Sequence, residues 1–256
     1  MDYDYIDGKK RVLDIINDSN DIEEVNKIPD DKDFTFENGY YSRVTSIFVD
    51  IRNSTSLFAE NKKTSTAKIV RAFSSEIIGI LRNDGNLREI GIRGDCVYAI
   101  YAANKVKHNI EIMEKAIYIR TYLIMLNKIL KEKKMQTIKA GIGVSTHEDL
   151  VIKAGRKGKD KNVNSKVWIG QAVTYASKLS NLANKGELEP ILITSEFYNY
   201  IIEKFKENNT NYDPSWFKKR TDTKIGTYYG TSLYKTQFKE WIDGGMKWWK
   251  VKKKKF

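Results

Sequence analysis

A single cysteine, Cys96, stands in a chain of 256 residues. No internal disulfide can form, so the chain reads as one kept in a reducing, cytoplasmic setting. Three prolines exclude Pro-rich and collagen-like organisation. No apolar run approaches the ~20 residues that a membrane-spanning helix needs. The acidic start MDYDYIDG lacks the basic and apolar segments of a secretion signal. The two histidines, His108 and His147, have no ligand-spaced partners, so a zinc site is not expected. No repeat of solenoid length occurs.

What is present is a globular composition, 41% hydrophobic and 30% charged, enough for a substantial core. The net charge of +12 is uneven: residues 216–256 hold twelve basic and three acidic side chains, and residues 153–166 hold six and one. Charge this localised suits a polyanionic ligand or a solvated tail better than a general nucleic-acid coat, so no stable nucleic-acid partner is expected. The KVKKKKF end with Trp241, Trp248 and Trp249 reads as a solvated terminus, contact with nucleic acid or an anionic membrane being the alternative. The expected organisation is an N-terminal helix and linker over 1–40, a main domain over 41–235 and a basic Trp/Lys-rich tail over 236–256.

Periodicity places a helix, or two short turns, in 9–27 and a linker in 30–42. A buried strand follows at 43–51, RVTSIFVDI, rich in β-branched and aromatic residues. Helical spacing of Ala67, Val70, Phe73, Ile77 and Leu81 predicts a helix over 64–83. Strands are expected at 87–93 and 96–102, joined at Gly94-Asp95 as a hairpin. A long helix over 109–133, strands at 137–145 and 150–154, a Lys-rich loop at 156–166 and a helix over 168–184 complete the middle. A strand at 190–194, a helix at 195–206, a strand at 226–234 and a Trp-rich stretch at 241–251 close the chain. The order is α+β, a ferredoxin-like βαββαβ core with an added αβ unit and C-terminal strands.

In that plan the first strand lies beside the hairpin, so Asp50 at its end and Asp95 in the hairpin turn converge. Two carboxylates and a main-chain carbonyl, that of Ile51, make a hard-oxygen site suited to Mg²⁺ or Mn²⁺. The turn Arg52-Asn53-Ser54-Thr55 opens a helix whose free N–H groups would hold phosphate oxygens. A capping Asp and a turn Asp are the plainer alternative for the same two residues.

The ordered motifs F-x-D-I-x-N-S-T, G-D-x-x-x-A, G-I-G-V-S and W-I-G-x-A-V-x-Y-A-S-K-L resemble the class III nucleotide cyclase catalytic domain. The resemblance covers about 40–235. It implies a homodimer with two Mg²⁺ or Mn²⁺ ions per active site, held by Asp50, Asp95 and the Ile51 carbonyl. The ribose 3′-hydroxyl would attack the α-phosphorus and pyrophosphate would leave. The transition-state residues of the family fall on Thr174 and Lys178, with Arg156 or Lys157 as other sources of positive charge. The two purine-reading positions fall on Gly91 and Val167, whose side chains cannot hydrogen-bond a base.

Metal aspartates kept and purine readers lost resembles the pyrimidine cyclases of bacterial anti-phage (Pycsar) systems. That implies synthesis of cyclic CMP or cyclic UMP, acting through a separate cyclic-nucleotide-sensing effector. Arg93 shares strand parity with Gly91 and faces the base; its two donors suit O2 and N3 of cytosine, which leans the reading toward CTP over UTP. Pairing of Arg93 with Glu89 is the alternative. Tyr41, Tyr98 and Trp168 would stack on a base or fill the core. Cys96 is expected to point into the core, and the 155–166 loop to cover a triphosphate or to be a surface hairpin. A purine cyclase reading its base through other residues, and an inactive nucleotide sensor, are the competing functions; the absence of GG(D/E)EF excludes a diguanylate cyclase.

Overall fold

The computed structural model describes residues 3–19, 21–60, 62–156 and 164–247. Lys157, Trp248, Trp249, the KVKKKKF end and the middle of the 155–166 loop lie outside the described residues. The described elements, in chain order, are α1 (Tyr5–Asn17), β1 (Asp21–Glu24), β2 (Asn38–Ile51), α2 (Ser54–Glu60), α3 (Lys63–Leu81), β3 (Leu87–Arg93), β4 (Cys96–Tyr101), α4 (Val106–Glu132), β5 (Ala140–Ala154), β6 (Ser165–Ile169), α5 (Gln171–Leu182), β7 (Ile191–Thr194), α6 (Ser195–Asn208), β8 (Lys218–Asp222), β9 (Gly226–Thr231) and α7 (Thr236–Asp243).

They build one sheet in the order β3-β4-β2-β5-β7-β9-β8, with β1 pairing β2 and β6 pairing β5 at its margins. Four of them, β3-β4-β2-β5, running inward from the β3 edge, have the ferredoxin-like arrangement. The strand β2 is antiparallel to both β4 and β5, which sets its last residues beside the hairpin tip.

Alternation along β2 separates two faces. Ile47, Val49 and Ile51 are buried and meet Phe73, Ile77 and Leu81 of α3 and Ile112, Ala116 and Ile119 of α4 in the main core. Each buried aliphatic side chain of this kind contributes about 1.5–3 kcal/mol of hydrophobic stabilisation. Val44, Phe48 and Asp50 face the other way. There a smaller cluster holds Ile28, Phe34, Tyr40, Val44, Ile100 and Val151, with Tyr98 and Trp168 packed against it.

On that second face α5 lies directly on β5. A Cβ at Gly143 would sit 2.1 Å from the Ala176 carbonyl oxygen, and one at Gly141 would sit 2.2 Å from that of Ser180. Only hydrogen side chains allow a helix so close. By contrast α1 leaves Ile6, Val12, Ile15 and Ile16 exposed and buries only Gly8.

Several boundaries differ from those expected. The strand β2 starts at Asn38, inside the stretch read as a linker, and β1 follows α1 where the sequence suggested a second turn. The two strands expected at 137–145 and 150–154 are one, β5, because His147 to Asp149 continue its pairing with β2. The helix expected from 168 starts at Gln171, after β6. Lys218–Asp222, a charged run without apolar alternation, is the strand β8.

Candidate active site

Asp50 and Asp95 meet at one end of this second face. Asp50 is the penultimate residue of β2; Asp95 follows Gly94, whose φ of +62° makes the tight β3–β4 turn and suits glycine. The Ile51 N–H donates to the Asp95 carbonyl at 3.4 Å, tying the strand end to the turn. The Asp50 carboxyl is raised above the usual range, first by burial and also by the charge of Asp95, with Arg52 acting against both. Two carboxylates that repel one another in a half-buried position favour a cation between them.

Arg52 supplies a positive charge from the protein itself. Its guanidinium ion-pairs with the Asp50 carboxylate and donates to the carbonyl of Asn181 at the end of α5. Its side chain is 6% exposed and that of Asp50 15%. Among the described residues no three His, Cys, Asp or Glu converge, so the donors on hand are two carboxylates and main-chain oxygen. Cys96 adds no thiolate: its thiol is pushed up to about 12 by burial and then by the charge of Asp50. An all-oxygen set of this kind fits Mg²⁺ or Mn²⁺ rather than a soft metal.

The expectation that Cys96 enters the core is corrected. Two-residue closure at Gly94-Asp95 pairs Cys96 directly with Arg93, and across β4 with Asp50. Directly paired residues share a face, so Arg93, Cys96, Asp50 and Gly141 form one rung. The next rung of this face is Gly91, Tyr98, Phe48 and Gly143.

Tyr98 and Phe48 stack at 5.2 Å. The Tyr98 hydroxyl donates to Glu89 Oε1 at 2.7 Å, and Trp168 Nε1 donates to Glu89 Oε2 at 2.7 Å. The pairing of Glu89 with Arg93 is therefore not made; Arg93 is exposed. Tyr41, of odd parity on β2, lies on the opposite face and lines a separate cavity with Glu24, Ser42, Asn104 and Glu148.

Asn53, Ser54 and Thr55 open α2, a helix of only seven residues. Asn53 has φ +54°, and its carbonyl accepts the N–H groups of Ser56 and Leu57, so the turn satisfies part of its own helix start. Thr174 and Lys178 lie one turn apart on the exposed side of α5, with the Lys178 ammonium over the Tyr175 ring. Among the described residues neither is bonded to Asp50 or Asp95. The buried carboxylate of Asp149 sets the start of α5, accepting from the N–H groups of Ala172 at 3.0 Å and Val173 at 3.2 Å. Gly170 makes room for it: a Cβ there would lie 2.1 Å from Asp149 Oδ1.

Residues 36–229 match the adenylate and guanylate cyclase catalytic domain family, three quarters of the chain. This protein is a class III nucleotide cyclase. The cyclase fold agrees: the adenylyl cyclase CyaB from P. aeruginosa superposes with a TM-score of 0.60 at 18% identity, over 77% of this chain and 97% of that one. A class III adenylyl cyclase-like ATP-binding protein from Pseudomonas aeruginosa gives 0.64 at 17%, over 94% of this chain and 49% of that one.

Sequence relatives lie nearer. A uridylate cyclase of Treponema porcinum is 44% identical over 96% of this cyclase and 83% of its own length. One of Gulbenkiania mobilis is 33% identical over 94% and 96%, and one of Burkholderia cepacia 27% over 79% and 86%. All three are uridylate cyclases, so the lean toward CTP drawn from Arg93 finds no support among them. Among the described residues no helix is long and apolar enough to cross a membrane.

Arg52 and Asp149 were not picked out as site residues; Tyr98 and Trp168 were, as base-stacking or core aromatics, but without their link through Glu89. Arg52 had a readable signal, a cation two residues past Asp50 at the strand end, within reach of that carboxylate. Asp149 had none beyond an acidic residue at the start of an apolar run.

Proposed function

We propose that this cyclase converts UTP to 3′,5′-cyclic UMP and pyrophosphate. The near full-length match to a uridylate cyclase at 44% identity carries the reading. Gly91 and Val167, which offer no donor or acceptor to a purine, agree with it. In the reaction the ribose 3′-oxygen bonds to the α-phosphorus, the bond from that phosphorus to the α,β-bridging oxygen breaks, and the 3′-hydroxyl proton is lost to solvent.

Asp50, Asp95 and the Ile51 carbonyl would hold two divalent cations. Those ions, Mg²⁺ or Mn²⁺, supply charge neutralisation at the phosphates and acidify the 3′-hydroxyl when bound. The chain's own contribution is position: Arg52 orients the Asp50 carboxylate, and the start of α2 at Ser54 and Thr55 presents N–H groups to phosphate oxygen. Thr174 donates a hydrogen bond and Lys178 a charge to the transferring group. Because α5 presents both side chains outward, we assign them to the site of a second copy, so that two chains assemble two sites across a two-fold interface. The product then serves as a messenger for a separate effector, in the manner of antiviral pyrimidine cyclases.

The full chain, incubated with Mn²⁺ and each of the four nucleoside triphosphates, should consume UTP and release pyrophosphate, with cyclic UMP identified by chromatography. Turnover confined to ATP or GTP, or to CTP, would overturn the substrate assignment. Nucleotide binding without turnover of any of the four would overturn the activity itself.

A further inference from the structure

The rung beside the aspartates carries an aromatic and acidic cluster that the phosphate chemistry does not use. Tyr98 is stacked on Phe48, and its ring lies across Gly91, where a Cβ would fall 2.7 Å from the Tyr98 hydroxyl oxygen. The ring thus occupies the volume that a side chain at 91 would need. Glu89 spends one carboxylate oxygen on the Tyr98 hydroxyl and the other on Trp168 Nε1, both at 2.7 Å. Tyr98 and Trp168 are each only partly buried, so the cluster faces outward as well as into its small core.

Hydrogen direction decides what the cluster offers. The Tyr98 proton is committed to Glu89, and burial together with that carboxylate pushes the phenol up to about 12, so it stays a phenol at neutral pH. The Trp168 N–H is likewise committed. What Tyr98 has left for a ligand is a lone pair on oxygen, an acceptor. The rung lies two residues along from the Asp50 rung, about 7 Å at ~3.4 Å per residue. A nucleotide laid on this face, with phosphates at the metals of this copy or of the copy opposite, spans both.

We infer that Tyr98, fixed by Glu89, is the specificity-determining residue that recognises the pyrimidine ring, its oxygen accepting the N3–H of uracil. Cytosine presents an unprotonated N3 at that position, and two acceptors face one another without a proton between them; leaving them so is disfavoured. The inference deepens the uridylate cyclase reading and rests on it.

The test compares kcat/KM for UTP and CTP in wild type, Tyr98→Phe and Glu89→Gln, all as the full chain with Mn²⁺. Tyr98→Phe keeps the stack and removes the acceptor; UTP efficiency should fall about tenfold with CTP nearly unchanged. Glu89→Gln should go further. Its amide can donate to the Tyr98 oxygen, which turns the phenol proton toward the cleft and makes Tyr98 a donor that suits cytosine N3, so the UTP/CTP ratio should drop at least tenfold with CTP gaining. A purely structural role would lower both substrates together. If wild type turns over UTP and both variants, folded by circular dichroism, keep the wild-type ratio, or lose both substrates equally, the inference is overturned and the uridylate reading stands. If wild type prefers another nucleotide, the reading itself has failed and the inference falls with it.

Discussion

Arg52, in the turn just past β2, folds back on Asp50 two residues earlier and pairs with its carboxylate while also gripping the Asn181 carbonyl of α5. One guanidinium therefore joins the strand that carries an aspartate of the site to the helix that carries Thr174 and Lys178. Both partners are largely buried, where an opposite charge matters more than at the surface.

Removing that charge has a defined cost. Arg52→Ala leaves Asp50 uncompensated and should destabilise the cation-free protein by about 3 kcal/mol, the low end for a broken buried pair. Millimolar Mn²⁺ should restore part of the loss, because a divalent ion neutralises the same carboxylate and binds only the folded chain. Thermal unfolding with and without Mn²⁺ reads both effects. A wild-type Tm in the variant, or no gain with the ion, would count against the arrangement.

Asp50→Asn, Asp95→Asn and Lys178→Ala should each lose turnover by ~10²-fold or more while remaining folded. If two copies share each site, an Asp50→Asn chain mixed with a Lys178→Ala chain regains activity. Random exchange makes half the dimers mixed, each with one intact site, so about a quarter of wild-type activity should return. Mixtures as inactive as their components would place Asp50 and Lys178 in one chain's site.

The class and order of the core were legible because they rest on local signals: β-branched runs, helical spacing and the Gly94-Asp95 turn. The convergence of Asp50 and Asp95 was legible too, since strand ends and turns are fixed by topology. What escaped depends on tertiary neighbours. Lys218–Asp222 becomes a strand only because β9 pairs with it. The face of Cys96 is set by the length of the turn before it, which inverts the parity inferred from Asp95. The direction of the Tyr98 proton depends on Glu89, nine residues earlier in the chain and on the neighbouring strand, and the lean toward CTP rested on Arg93 alone.

Glu189 supplies a pH signature of the scaffold. Burial alone would raise its carboxyl, but hydrogen bonds from Arg220 and Lys218 outweigh it and leave the group below its ordinary value of 4.5. Arg220 makes two contacts to it at 2.8 Å. A depressed acid stabilises the fold above its unfolded pKa, and that stability is lost as pH falls through the folded value. Wild-type stability should therefore decline below about pH 4.5, and Glu189→Gln should be less stable at neutral pH with a flatter acid limb. Parallel acid limbs in denaturant titrations would remove Glu189 from the account.

Gly143→Ala tests the seat of α5. A methyl group aimed at the Ala176 carbonyl from 2.1 Å cannot be absorbed by a side-chain rotation, so the helix must shift at a cost of about 1–3 kcal/mol. Tm and turnover should fall together. Alanine at Gly85, where a Cβ meets nothing within 4 Å, is the control and should change neither.

The place of the lone thiol has a practical consequence. Cys96 is the chain's one cysteine, and it shares a rung with Asp50. Slow alkylation, as a sulfhydryl so reluctant to ionise requires, labels the unmutated enzyme beside its aspartates and nowhere else. Protection of that single atom by cations or by triphosphate offers a titration of occupancy that needs no turnover.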